Sequence, residues 1–420
     1  MTPIFHLTVK SVLNRRLSVG LTVFSIALSV ALLLGVERLR QDARASFANT
    51  ISGTDLVVGA RGGSVQLLLY SVFHLGSATN NVAVSSLDAI AAHRSVSWVV
   101  PLSLGDSHRG FRVVGTTPAF FERYRYGEAL PLAFAAGSAF QGLFEAVVGA
   151  EVATRLGYQV GSAIVVAHGS GEVALVEHAE KPFKVVGVLA PTGTPVDRSV
   201  LVSLPAIEAI HLDWLGGVPV PGFQLSPDEV TRFDLAPKSV TAALVGLKSR
   251  AAVFQVQRFV NDFRAEPLLA ILPGATLQEL WSLVGVAEQA LLIVSALVVT
   301  VGLAGLIAVL MAGLGERRRE LAILRALGAH PGEIFLLLAS ESLLLTLIGC
   351  VVGWGLLMIL GSVASPWLLS NYGLQLVLSG MTRHEAALLL AVLAAGFLAS
   401  LVPAWRAYRL SVADGMMVRA

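Results

Sequence analysis

The sequence predicts an α-helical membrane protein with four transmembrane helices and a large extracytoplasmic α+β domain inserted between helices 1 and 2. Three observations predict it. The 420 residues are 55% hydrophobic and only 14% charged, with a mean hydropathy of +0.73. Their apolar content gathers in four blocks, each long enough for a helix rising ~1.5 Å per residue to cross the hydrocarbon. Between the first and second blocks lie about 245 residues of mixed texture, room for one large or two small domains.

The blocks run from Ser18 to Val36, from about Val284 to Leu314 with Glu288 near its start, from about Ile334 to Ala364, and from about Ala386 to Val402. The first lacks the small-residue cleavage site of a removable signal peptide. Lys and Arg near the ends set the orientation. Lys10, Arg15 and Arg16 precede block one, Arg317, Arg318, Arg319 and Arg325 join blocks two and three, and Arg406, Arg409 and Arg419 follow block four. All fall on one side of a four-span chain, which places both termini in the cytoplasm. Arg38, Arg40 and Arg44 conflict with this, since they follow the first block on the outer side. The net charge of +2 is dispersed at membrane edges, with no basic stripe for nucleic acid. The sole cysteine, Cys350, lies inside block three, so the outer domain has no disulfide framework.

The expected organisation is a cytoplasmic amphipathic helix over 1–17, helix 1 and a stalk over 18–44, and the outer domain over 45–275. A stalk and helix 2 cover 276–314, a cytoplasmic segment 315–331, and helix 3 332–364. An outer loop over 365–385, helix 4 over 386–408 and a tail over 409–420 complete it. Within the outer domain, β-rich runs at Leu56–Gly59, Val99–Leu104, Phe111–Thr116, Ala146–Gly149, Ser162–Ala167, Phe183–Leu189, Ser199–Ser203 and Thr241–Leu247 are bounded by Gly, Pro, Asp or Ser. Helical patterns cover Ser86–Ala92, Glu151–Leu156, Pro205–Ile210 and Ala251–Arg264.

The most informative stretch is Glu316–Ala329, with Gly315 before it. Leu321, Ile323, Leu324 and Leu327 recur at helical spacing while Arg317, Arg318, Glu320 and Arg325 take the remaining surface. Gly328 stands where a helix end needs a left-handed residue, and Pro331 cannot continue that helix. The result is a short, firmly ended charged element on the cytoplasmic side. Glu341, an ionisable group about seven residues into a span, faces either the helix bundle or water. Gly349 and Gly353, and Ala304, Ala308 and Ala312, are spaced for close helix approach.

The order of parts and the run Arg317–Ala329 resemble the MacB/FtsX-like (type VII) permeases of ABC transporters. The run is similar to that family's RRREIAILRALGA signature, and the layout to the LolC/LolE-like members without a fused ATPase domain. Glu341 followed by Ser342 to Gly349, Leu401 to Ala407, and Val148 to Gly161 with Phe183–Val188 and Asp197–Val202 resemble further family elements. The resemblance implies a MacB-like periplasmic core domain in a bacterial inner-membrane protein. It implies a coupling helix, with Glu316, Arg317, Arg318, Arg319, Glu320, Leu321, Leu324, Arg325 and Gly328 meeting an ATPase and Glu341 relaying motion. No G-x-x-x-x-G-K-[ST] occurs, so ATP and Mg²⁺ belong to two copies of a separate ATPase subunit and no cofactor to this chain. The implied assembly is a homodimer, or a heterodimer with a similar permease, joined by a membrane-fusion or other periplasmic adaptor. Its implied role is export or extraction of a lipid, lipoprotein, peptide or drug-like molecule; the alternative is an FtsX-like regulator of a periplasmic hydrolase.

Three further readings concern the outer domain. Leu67, Leu68, Leu69, Val72 and Phe73 lie in an apolar stretch that packs in the core, rests on the membrane or holds an apolar substrate. No catalytic residue is assigned: Ser107 beside His108 lacks a third group that sequence adjacency could supply. His168, Glu172, Glu177, His178 and Glu180 are read as a solvated hairpin with no tight metal spacing.

Overall fold

The computed structural model describes residues 16–409, apart from 170–175, 179, 216–217, 221–224, 317–322, 324, 373–375, 377 and 379. The helix expected over 1–17 and the tail over 409–420 lie almost wholly outside the described residues. The chain forms two compact units: one of residues 1–42, 285–369 and 376–420, the other of 43–284 and 370–375.

The apolar blocks form helices Arg16–Asn49, Pro273–Glu316, Pro331–Tyr372 and Arg383–Arg409. All four are long and apolar enough to cross a membrane. Each extends beyond its block, the third and fourth continuing through Pro366 and Pro403. The fourth starts with a capping box, in which Thr382 N–H donates to Glu385 Oε2 (2.8 Å) and Glu385 N–H to Thr382 Oγ1 (3.1 Å). Ile26, Val30, Leu33 and Leu34 of the first helix pack with Leu306, Leu310, Leu345 and Val392 of the others.

Glycine sets how closely the helices meet. A Cβ at Gly353 would stand 2.6 Å from the Ala27 carbonyl oxygen, and one at Gly349 2.6 Å from Ile26 Cγ2. These two residues therefore serve the close approach that their spacing predicts. The alanine stripe does not: Ala304, Ala308 and Ala312 are exposed, while Gly302, Leu306, Leu310 and Leu314 face inward.

The outer unit is built on a mixed sheet of β1 (Leu56–Ala60), β2 (Val96–His108), β3 (Phe111–Thr116), β4 (Phe134–Gly137), β5 (Glu145–Val148), β6 (Phe183–Leu189), β7 (Ser199–Ser203), β8 (Ala242–Leu247) and β9 (Leu268–Ile271). Their spatial order is β9-β1-β8-β2-β3-β7-β5-β6-β4. The pairs β3/β7 and β5/β6 are parallel and the other neighbours antiparallel. Successive side chains enter opposite faces, as the pleat requires. Val57, Leu102, Val114, Val147, Leu201 and Leu244 join one continuous core. Leu56, Val58, Ala243 and Val245 enter a second core on the other face, and Val113, Val148, Val200 and Val202 a third. Burial on both faces explains why the strands read as near-continuous apolar runs.

Helix Ser64–Val72 lies in the first core, helix Val253–Asn261 in the second through Val256 and Val260, and helix Leu204–His211 in the third through Ala206 and Ile210. Gly149 marks another close approach, since a Cβ there would sit 2.3 Å from the Val196 carbonyl oxygen. Strands β4 and β9 fall outside the β-rich runs that the sequence predicts. Leu268–Ile271 is a short apolar run without alternation just before the second spanning helix, where periodicity cannot separate strand from helix.

Candidate functional site

The expected coupling segment begins where the second spanning helix ends at Glu316. Arg317, Arg318, Arg319, Glu320, Leu321 and Leu324 lie outside the described residues. Beyond them Leu327 N–H donates to Ile323 O and Gly328 N–H to Arg325 O, both at 3.0 Å. Gly328 has φ 102°, the left-handed stop that its position predicts. His330 N–H then donates to Glu333 Oε2 (3.0 Å) at the start of the third spanning helix, with Pro331 in its first turn. Ile323 is 53% and Leu327 81% exposed. The described part thus ends firmly and turns Ile323 and Leu327 outward.

Glu341 is 3% exposed, so it faces the helix bundle. Beside it, Thr346 Oγ1 donates to Ser342 O (2.9 Å), and both residues are fully buried. Gly396 of the fourth helix is pressed against Thr346, where a Cβ would lie 2.6 Å from its Oγ1.

The arginines after the first block have acidic or aromatic partners. Arg38 lies 3.4 Å from Glu385 and donates to the Gly380 carbonyl at 2.9 Å. Arg40 forks onto Glu37 at 3.0 and 2.7 Å and lies 3.8 Å from Glu288. Arg44 stacks over Trp281 at 5.3 Å.

In the outer unit, Leu67, Leu68, Val72 and Phe73 are buried in the first core and Leu69 packs against it. An exposed substrate or membrane surface is therefore not formed there; Gly59 in β1 leaves room for Leu67, whose Cδ1 would lie 2.5 Å from an added Cβ. The neighbouring Ser107 and His108 do not form a dyad. His108 donates from Nδ1 to the Val165 carbonyl (2.5 Å) and meets the Tyr158 hydroxyl at 2.9 Å through Nε2, while Ser107 Oγ is buried without a hydrogen-bond partner among the described residues. Adjacent strand residues point to opposite faces.

The hairpin histidines are not simply solvated. Strand Ala167–His168 pairs with Val176–Glu177 and with β2, which sets His168 opposite Asp106. His211, the last residue of helix Leu204–His211, joins them, and so does His178. Although burial opposes it, hydrogen bonds from His168 and His211 hold Asp106 down at about 2. Burial, and then the charge of His211, push His178 down to about 4. Burial lowers His211, yet the hydrogen bond and charge of Asp106 raise it above the ordinary histidine value. Sequence reading missed Asp106 and His211 because they stand 62 and 43 positions from His168. Glu172 lies outside the described residues, and Glu180 is exposed at the surface.

Four spanning helices with this α+β unit between the first and second define a permease component of an ABC transporter. The chain belongs to the MacB/FtsX-like permease family: residues 19–259 match the MacB-like periplasmic core domain, more than half of the chain, and residues 292–412 the FtsX-like permease C-terminal domain. Among solved structures, it is similar to the periplasmic region of MacB from Actinobacillus actinomycetemcomitans. That match has 10% identity and a TM-score of 0.34, covering 55% of this chain and 94% of the other. It is also similar to the extracellular domain of the noncanonic ABC-type transporter YknZ from Gram-positive bacteria, at 12% identity and a TM-score of 0.31, covering 52% of this chain and 99% of the other. No curated protein matches the chain. The protein is an inner-membrane permease component with a periplasmic domain.

Proposed function

We propose that this permease couples ATP hydrolysis in the cytoplasm to movement of its periplasmic domain, exporting or extracting a lipid, lipoprotein, peptide or drug-like molecule. Two copies of a separate ATPase bind ATP and Mg²⁺ and dock on residues 316–328 of two permease chains, because ABC ATPases work as pairs and a closed dimer gives each the same surface. The termini and this segment face the cytoplasm, and a membrane-fusion or other periplasmic adaptor completes the path.

The observation that carries the reading is the glycine-ended element between the second and third spanning helices, with Ile323 and Leu327 turned outward in a chain of this family. A lever must be rigid and must offer a surface to its motor. Exposed Ile323 and Leu327 offer apolar anchoring contacts, and Arg317, Arg318, Glu320 and Arg325 supply charge in the same short stretch of sequence. Glu341, buried in the third helix, is the proposed relay toward the bundle.

The test is co-purification of the partner ATPase with the wild-type chain and with Glu320→Ala plus Arg325→Ala. The double variant is expected to lose about tenfold or more in association, as truncating interfacial charges does. Coupled ATP turnover should fall with it. Undiminished association and turnover would refute the docking role.

A further inference from the structure

Asp106, His168, His178 and His211 each offer one ligand atom, and the four atoms lie within 4.8 Å of one another. His168 Nδ1 is 3.1 Å from Asp106 Oδ1 and 3.2 Å from His211 Nε2, which is itself 3.5 Å from Asp106 Oδ1. Ligands on a tetrahedral Zn²⁺, each about 2.0 Å from the ion, stand about 3.3 Å apart. The spacings therefore match a shared central cation.

The hydrogen bonds fix which nitrogens face that centre. His211 Nδ1–H donates to the Ile207 carbonyl at 2.8 Å, so Nε2, turned to Asp106 and His168, is the nitrogen that exchanges its proton for a bound cation. This is the outer-shell bond that orients metal-bound imidazoles. His178 Nε2 is buried and has no hydrogen-bond partner among the described residues. The Trp214 ring walls the group, with centroids 4.3 Å from His178, 5.5 Å from His168 and 5.7 Å from His211. His168 and His211 keep 34% and 26% of their side-chain surface exposed, which leaves a way in for an ion.

We propose that Asp106, His168, His178 and His211 form a binding site for a divalent first-row transition metal, Zn²⁺ foremost, in the periplasmic domain. Three imidazoles and one carboxylate suit Zn²⁺ and its neighbours in the series. Ca²⁺ and Mg²⁺ need six or more oxygen ligands, which this group does not supply. Four protein ligands leave no open position for a substrate or an activated water, so the ion is held and not used in catalysis. It ties β2, the His168 hairpin and the end of helix Leu204–His211 together. This inference concerns the outer domain alone and is independent of the docking role assigned above.

The test uses the tag-free, full-length protein in detergent, stripped with a chelator, dialysed against Zn²⁺ and assayed by elemental mass spectrometry. One Zn²⁺ per chain is expected, with X-ray absorption at the zinc edge showing histidine-rich four-coordination and Co²⁺ giving the visible absorption of a tetrahedral site. His168→Ala and His211→Ala should each weaken Zn²⁺ binding about tenfold or more, whereas His384→Ala, outside the cluster, should leave it unchanged. Absence of stoichiometric uptake by the wild type would overturn the proposal, and so would a zinc-edge spectrum without histidine ligands, whatever the variants do. Folded variants that retain wild-type affinity would overturn it as well, leaving a histidine–aspartate ion pair as the whole account.

Discussion

His74 shows how much one residue can depend on its surroundings. It adopts φ 55°, a conformation uncommon outside glycine and asparagine. Its Nδ1 lies 3.0 Å from Ser199 Oγ. That hydroxyl already donates its proton to the Pro195 carbonyl (2.9 Å), so the His74 Nδ1–H is the donor between them. Burial, and then the charge of Arg112, push His74 down to about 4. Between about 4 and the ordinary value of about 6.5, the unfolded chain binds a proton that the folded chain refuses. Stability from this group is therefore full above that window and is lost as pH falls through it. Thermal melts of the full chain in detergent should show a smaller drop from pH 7 to pH 5 in His74→Asn, which tolerates the same backbone, than in the wild type. An equal drop would remove His74 from the acid response. Gly328 could be read in the sequence because glycine and proline punctuate a helix locally. The orphaned Nε2 of His178 could not, since its surroundings come from distant segments.

At the scale of elements, the spanning helices show that glycine spacing carries meaning only on an inward face. Gly353 and Gly355 share the third helix two positions apart, yet a Cβ at Gly353 would strike the Ala27 carbonyl and one at Gly355 meets nothing within 4 Å. Gly353→Ala should destabilise the helix bundle by about 1–3 kcal/mol, the usual cost of overpacking against atoms that cannot yield. Gly355→Ala should be neutral or stabilising, since alanine favours a helix by up to about 1 kcal/mol. Denaturant titration of both variants in mixed micelles checks the contrast, and equal effects would contradict the packing. Alanine spacing in the second helix predicted a contact that lies on the exposed face instead. Period alone identifies a stripe, and only the neighbouring helices decide which stripe is buried.

For the whole molecule, orientation is the property most open to test. If the outer domain is in the periplasm and residues 316–328, as proposed, in the cytoplasm, cysteines placed on the two sides must differ in reach. A membrane-impermeant maleimide should label exposed Thr231→Cys in spheroplasts, and exposed Ala326→Cys only after permeabilisation. The native Cys350 is 3% exposed within a spanning helix and gives little background. The reverse pattern would invert the topology. The basic clusters from which this orientation is proposed are legible in the sequence, whereas the acidic and aromatic partners of Arg38, Arg40 and Arg44 are not. Those partners include Glu288, Glu385 and Trp281, hundreds of positions along the chain.

The sequence by itself determined the four spans, most of the sheet strands and the glycine-ended segment between the second and third helices. These follow from local properties: apolar length, the texture of doubly buried strands, and glycine and proline as stops. Only the tertiary structure decided that Leu67, Leu68, Val72 and Phe73 are core, that Gly349 and Gly353 face a neighbouring helix, and that Asp106 and His211 meet the hairpin histidines. Each of those outcomes rests on distance in space between residues far apart in the chain, set by strand pairing and helix packing. The outer domain's polar cluster, unlike the glycine-ended segment, has no local pattern to announce it.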